Sequence, residues 1–363
     1  MARLLLAWFG KNKRALPWRK TRDPYKIWIS EIMLQQTQVG TVIPYYKRWI
    51  KNFPNIKSLA GAPLSRVLKL WEGLGYYSRA RNLHKTAKGV AGKLGGRFPD
   101  SREELQKLPG IGRYTAGALA SIAFGKPEPI LDGNVKRVLS RVLALKKPID
   151  RSGGEKILWE TSKKLAEAAL PRAGDLNQSL MELGALVCVP ENPNCPACPV
   201  ENACGARRLG LEEKFPVKSR KKRTEELRTI ALVLWKGGRV LLEKQPLYAR
   251  WGGLWAFPHW IHPNGKGEAG LVREKAREHW GIRLNGLKKR MEIRHGFTKY
   301  RVRLGVYESR VVIASPEGAK QSKLLRRPNG LLAMTRWYAP QKLANLPLPT
   351  PHQKIAGWVK NHA

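Results

Sequence analysis

All four cysteines of the 363-residue chain fall at positions 188, 195, 198 and 204, a C-x6-C-x2-C-x5-C run within seventeen residues. Two disulfides in so tight a loop would staple little chain, and a reducing compartment would not sustain them. Cys188, Cys195, Cys198 and Cys204 therefore read as a metal-binding loop. Structural zinc often uses two C-x2-C knuckles, and only one is present. Four thiolates on one loop can instead wrap a [4Fe-4S] cluster, although this spacing differs from the ferredoxin runs. Spacing favours iron-sulfur over zinc and leaves four unligated thiols as the third alternative.

Lys and Arg number 68 against 27 Asp and Glu, a formal net charge of +41. The excess is not confined to a tail: 37 basic residues face 18 acidic ones through residue 214, and 31 face 9 beyond it. Such a field favours a polyanion, most commonly nucleic acid, over a general bias toward a charged surface. The length suggests two domains, each able to bury a core. The apolar start MARLLLAWFG is too short for a signal peptide, lacks a cleavage site and runs into Lys11, Lys13 and Arg14. It reads as an amphipathic first helix. No stretch reaches the roughly 18 to 20 apolar residues of a membrane span, so a soluble, intracellular protein without membrane partners is expected.

Residues 1–213 read as helices joined by short Gly/Pro breaks. Asp23-Pro24 supplies an N-cap and a first-turn proline for a helix expected to run through Gln36. Ser101-x-x-Glu104 is a capping box before a short helix ending at Pro109-Gly110. After Asp132, Val135, Val138, Leu139, Val142 and Leu143 follow helical spacing. The stretch 214–228, KFPVKSRKKRTEELR, has seven basic residues and little to bury, and reads as a linker. Beyond it, 229–235, 238–245 and 300–312 look like strands around a helix near 269–280, a smaller α+β domain spanning 229–363.

Three places carry chemistry. In LPGIGRYTAG (108–117), Gly110 and Gly112 permit a tight turn and close backbone approach, with a helix starting near Arg113. Outward-facing helix-start amides make an anion site, most simply for a DNA phosphate; an ordinary helical hairpin is the alternative. Glu31 shares a helical face with Ile27 and Leu34, where burial would raise its pKa into the range of a general acid, unless it lies at the edge and reaches water. Asp132 reads as an N-cap, and an ionised N-capping carboxylate can also stabilise a sugar cation.

LPGIGRYTAG, LDGNV about twenty residues on and the cysteine loop together resemble the helix-hairpin-helix glycosylases of base-excision repair, over residues 8–210. Within them, SEIMLQQTQV and WEGLGYYSRARNL resemble the adenine DNA glycosylases of the MutY kind. The resemblance implies a [4Fe-4S] cluster and a double-stranded DNA substrate with adenine opposite 8-oxoguanine or guanine. By the same resemblance Glu31 protonates the adenine ring, Asp132 stabilises the oxocarbenium ion and Asn134 orients it. Tyr114 stands where strand-cleaving relatives carry a lysine. A phenol cannot form their imine, so an abasic site in an intact strand is expected. Gly110, Ile111 and Gly112 would grip the backbone, Tyr76 with Leu74 beside it would wedge next to 8-oxoguanine, and Gln36 and Thr37 would lie around the orphaned pair. Arg14, Trp18, Arg19, Leu34 and Val39 match the adenine pocket.

GGLWAFP and RHGFTKY make the second half resemble the Nudix-like domain with which these glycosylases check the opposite base. Arg273-Glu274 of the Nudix signature are present, but Arg277 replaces a signature glutamate and Gly281 is displaced by one, so pyrophosphate hydrolysis is not expected. The family's Phe-Ser/Thr-His loop reads Phe297-Thr298-Lys299. Lysine keeps a donor but lacks imidazole's acceptor and planarity, which weakens the basis for preferring 8-oxoguanine over guanine. The whole reads as a monomeric glycosylase without lyase activity: a helical domain over 1–213 with its cluster loop at 188–204, a linker at 214–228 and a Nudix-like reader. The alternatives are a thymine glycosylase acting on T:G mismatches and a non-catalytic iron-sulfur DNA-binding protein.

Overall fold

Asp23 accepts a 2.9 Å hydrogen bond from the Tyr25 amide and starts the Pro24–Leu34 helix, with proline at its first position. Apart from Lys26 and the two ends, every residue of this helix is buried, including Glu31. A helix apolar on nearly all sides belongs in an interior. It stops at Leu34, two residues before the expected end, because Gln36 turns the chain with a φ of 57°.

The computed structural model describes residues 1–219, 224–263, 267–297, 299–311 and 334–363. They form two units: Met1–Gly61 with Asn82–Lys221, and Ala62–Arg81 with Lys222–Ala363. In the first, the opening Ala2–Asn12 helix buries Leu5 and Phe9. Ser101 caps the Arg102–Gln106 helix through the Glu104 amide, and a turn leads to Gly112 as N-cap of Arg113–Ile122. Gly110 in that turn has a φ of 79°, and a Cβ there would lie 2.7 Å from Asn82 Cβ, so both conformation and space demand glycine. Asp132 caps the Gly133–Val142 helix, which buries Val135, Val138 and Leu139. Its expected apolar face is shorter than its spacing suggested, since Leu143 lies beyond the helix and is 41% exposed. The Ala173–Leu186 helix shares this core through Leu176, Leu180 and Leu183. Gly184 lets it approach Asn134, whose Cβ would be 2.7 Å from an added Cβ.

The second unit is built on a seven-stranded sheet: β1 (Glu225–Lys236), β2 (Arg239–Lys244), β3 (Trp255–Ala256), β4 (His259–Ile261), β5 (Asn285–Phe297), β6 (Tyr300–Arg310) and β7 (Thr335–Tyr338). The order is β3-β2-β1-β6-β5, with β4 on β1 and β7 on β2. β1 and β6 run parallel, from Glu225 opposite Tyr300 to Trp235 opposite Arg310, and the other pairs are antiparallel. Alternate residues of β1 enter two cores. Ile230, Leu232 and Leu234 meet Leu271, Val272 and Ala276 of the Glu268–Trp280 helix. Ala231, Val233 and Trp235 join Ile355, Ala356 and Val359 of the Thr350–Asn361 helix. β5 escaped the sequence reading because NGLKKRMEIRHGF lies mostly in solvent and lacks apolar alternation. Charge along an edge strand discourages pairing with other chains.

The expected boundaries shift in two places. Phe215 is buried, its carbonyl accepts from Arg141 Nε (3.1 Å), and the Val217 carbonyl accepts from the Ile149 amide (3.0 Å), so the start of the supposed linker is fastened to the first unit. β1 already begins at Glu225, and residues 220–223 between lie outside the described residues. Residues 62–81 group with the sheet rather than with the helices around them in sequence. The Leu64–Leu70 helix buries Val67 and Leu68, and Arg81 donates to the Gly252 carbonyl (3.1 Å).

Candidate active site

The Pro24–Leu34, Arg113–Ile122, Gly133–Val142 and Ala173–Leu186 helices surround a cavity of about 520 Å³ in the first unit. Its wall holds Glu31, Tyr114, Asp132 and Asn134, together with Arg14, Trp18, Arg19, Leu34, Gln36, Thr37 and Val39. Residues from five separated stretches of sequence thus meet around one space, large enough for a nucleobase and part of its sugar.

Glu31 is 5% exposed, and burial pushes its carboxyl from 4.5 up to about 7. The Tyr114 hydroxyl, which donates to Glu31 Oε2 at 2.6 Å, opposes that rise, as does the charge of Arg19; the charge of Asp132 reinforces it. Tyr114 also contacts Met181 Sδ (3.3 Å), and burial beside two carboxylates holds its phenol well above the ordinary value. Asp132 Oδ1 accepts from the Val135 amide (2.7 Å) and Oδ2 from Asn134 Nδ2 (3.3 Å). These bonds were expected to keep it ionised. Burial nevertheless outweighs them, and its pKa is raised above the ordinary value. Arg137 fixes the other end of Asn134, donating to its Oδ1 (2.8 Å) and to the Cys188 carbonyl (2.7 Å).

The sequence reading missed Glu182, which organises the pocket's arginines. Its side chain is 1% exposed. Arg14 reaches it through its amide, Nε and Nη2 at 2.8, 3.0 and 2.6 Å, and Arg19 through Nη1 and Nη2 at 2.8 and 2.9 Å. Burial alone would raise this carboxyl; the two guanidinium groups reverse that and hold it at about 2. Gln178, Met181, Glu182 and Ala185 all line the cavity and repeat at i, i+3, i+4 and i+7. That polar break in an otherwise apolar helical face was the available signal.

Other expected residues lie elsewhere. Gly110, Ile111 and Gly112 form the hairpin turn outside the cavity wall; Ile111 is buried, while a Cβ on Gly112 would meet nothing within 4 Å. Leu74, expected beside the wedge, is only 6% exposed, whereas Tyr76 is 47% exposed, so of the two only the tyrosine ring is open to solvent. Phe297 ends β5 with the Arg250 guanidinium over its ring. Lys299 is ion-paired with Glu225, and Thr298 lies outside the described residues.

The four cysteines are unpaired, partly exposed and line one small cavity with Arg141. Arg141 Nη1 donates to Cys188 Sγ at 3.4 Å. Among the described residues, no three His, Cys, Asp or Glu side chains are grouped to hold a single metal ion. Four thiols lining one space are a donor set that an iron-sulfur cluster accepts.

Residues 29–164 match the family model described as HhH-GPD superfamily base excision DNA repair protein, and residues 229–357 match the NUDIX domain model. The adenine DNA glycosylase of Buchnera aphidicola subsp. Acyrthosiphon pisum (strain APS) is 35% identical over 355 residues, 98% of this chain and 96% of the relative. That of Buchnera aphidicola subsp. Baizongia pistaciae (strain Bp) is 43% identical over 262 residues, covering 72% and 74%. The solved structure of a thermostable thymine-DNA glycosylase is 31% identical and covers 57% of this chain and 95% of its own, with a TM-score of 0.52. Similarity across nearly the full length of both chains, through the helical unit and the sheet unit alike, establishes that this chain belongs to the adenine DNA glycosylase family.

Proposed function

We infer that the chain is a DNA N-glycosylase of base excision repair that hydrolyses the bond between adenine and its sugar, with adenine opposite 8-oxoguanine or guanine as its substrate. The observation that carries the mechanism is Glu31: a carboxyl of pKa about 7 in a base-sized cavity with a second carboxylate, Asp132. Near neutrality much of Glu31 is protonated and can donate to a ring nitrogen of adenine, making it a neutral leaving group. Asp132, fixed by the Val135 amide and Asn134, faces the sugar as positive charge develops there. A buried carboxylate that is poorly compensated in the resting protein gains most from that cation. Water completes the reaction, its hydroxyl joining the sugar carbon and its hydrogen replacing the one given to adenine.

Tyr114 offers no amine for imine formation, so the strand stays intact. Its phenol holds Glu31 in place instead. Cys188, Cys195, Cys198 and Cys204 would hold a [4Fe-4S] cluster, which when bound supplies four iron–thiolate cross-links to this loop. Gly112 and the following helix start would meet a phosphate, Tyr76 would fill the gap left by the extruded nucleotide, and Phe297 and Lys299 would contact the opposite base. The protein acts as a monomer.

Duplexes carrying 8-oxoG:A, G:A, G:T or only normal pairs test this reading. Adenine should leave the first two, faster from 8-oxoG:A, without strand breaks until alkali is added. Release of thymine alone would point to the thymine glycosylase, and binding without release to a DNA-binding protein. Zinc without iron in the purified protein would overturn the cluster assignment.

A further inference from the structure

Within the second unit, the loop before Tyr76 is held against its own conformational preference. Gly73, Gly75 and Tyr76 have φ of 100°, 69° and 43°, and left-handed backbone is unfavourable for tyrosine. Local bonds brace the turn: Trp71 Nε1 donates to the Gly75 carbonyl (3.0 Å), and Arg79 Nη2 to the Leu74 carbonyl (2.9 Å).

A second set of bonds fastens the same loop to residues 346–348 of the sheet unit. Glu72 Oε1 accepts from the Leu348 amide at 2.8 Å, and Glu72 Oε2 pairs with Lys69. Lys69 Nζ also donates to the Leu346 carbonyl (3.0 Å), and the Tyr77 hydroxyl to the Leu348 carbonyl (3.3 Å). Residues 346–348 are themselves fixed: the Trp255 amide in β3 donates to the Pro347 carbonyl (3.0 Å), and Leu348 is 2% exposed within the sheet core. The Glu72 side chain is 17% exposed, so water competes weakly for it.

We propose that Glu72 is a positioning residue for opposite-base discrimination: its carboxylate clamps the strained Tyr76 loop to the 346–348 segment of the sheet unit. This rests on the reading of Tyr76 as the wedge. Tyr76 is the one non-glycine in left-handed backbone in this loop, so its strain is relieved when an outside tether is cut, and it is the exposed ring that such relaxation would move. Clamping ties the ring to the compact unit that carries the strands β5 and β6, so contacts to the opposite base and insertion beside it become interdependent.

The test compares single-turnover adenine release from 8-oxoG:A and G:A duplexes, at saturating full-length protein, for wild type, Glu72→Gln, Glu72→Ala and Lys69→Met. Glu72→Ala should lower the ratio of the two rates by about tenfold, the loss of one charge-assisted hydrogen bond. Glu72→Gln, which keeps an acceptor for Leu348, should recover part of it. Rates are normalised to the folded fraction from thermal melts, so a general loss of stability moves both rates and leaves their ratio. If Glu72→Ala fails to fold, Lys69→Met and Glu72→Gln carry the test. A wild-type ratio retained in the folded variants overturns the proposal alone, while a wild-type protein that does not discriminate removes the wedge reading and this inference with it.

Discussion

Glu31 and Glu182 sit 5% and 1% exposed in the wall of the first unit's cavity, whereas Lys299 and Glu225 of the second unit pair with side chains 43% and 51% exposed. In the cavity, burial sets what each carboxyl does. Glu31, offered one phenol, is pushed to about 7; Glu182, offered two guanidinium groups, falls to about 2. At the β5–β6 turn, water screens the ion pair and little depends on it. In the first region partner choice sets how tightly each carboxyl holds a proton, and in the second the paired charges stay in water.

The sharpest way to break this contrast is Glu31→Gln, which should slow adenine release roughly a hundredfold to ten-thousandfold while leaving duplex binding measurable by fluorescence anisotropy. Next in size, Glu182→Ala strands Arg14 and Arg19 without their partner and should cost about 3–5 kcal/mol in urea unfolding. The two carboxyls also predict opposite pH effects on stability. Glu31, with its raised pKa, binds its proton more tightly when folded and makes stability decline as pH climbs from 4.5 through about 7. Glu182, with its lowered pKa, adds stability above 4.5 that disappears as pH falls toward about 2.

A smaller effect should follow Tyr114→Phe. The lost hydrogen bond favoured the ionised form of Glu31, so its pKa rises further and the alkaline fall in release rate, centred near 7 in wild type, moves up by about one pH unit. Smallest is Lys299→Ala, expected to change stability by less than about 1 kcal/mol in the same urea assay. A large loss there would erase the distinction between the two regions.

Motifs made much of the cavity legible. Glu31, Tyr114 and Asp132 each lie in a stretch with its own local signature, the N-cap at Asp132 formed as its spacing indicated, and Ser101 caps its helix through the Glu104 amide while the Glu104 carboxylate pairs with Lys107. Glu182 was not legible in the same way, because its meaning depends on Arg14, 168 residues away, and no local pattern encodes that encounter. The upward shift of the Asp132 pKa was not legible either, since capping can be read from sequence but the depth of burial that opposes it cannot. In the sheet unit the buried strand β1 was visible, whereas β5 was hidden by its own solvent-facing charges. The grouping of 62–81 with the sheet depends on contacts to residues some 270 positions away, such as Glu72 with Leu348.

The clasp of Arg14 and Arg19 on Glu182 bears on ionic strength. A chain of +41 must hold DNA largely through displaced counterions, so its affinity should fall steeply as salt is added. Inside the cavity, one buried carboxylate already offsets part of the arginine charge, and the adenine proposed to enter it is an uncharged base. Salt should therefore govern how often DNA is engaged and leave nearly untouched how fast an engaged adenine departs.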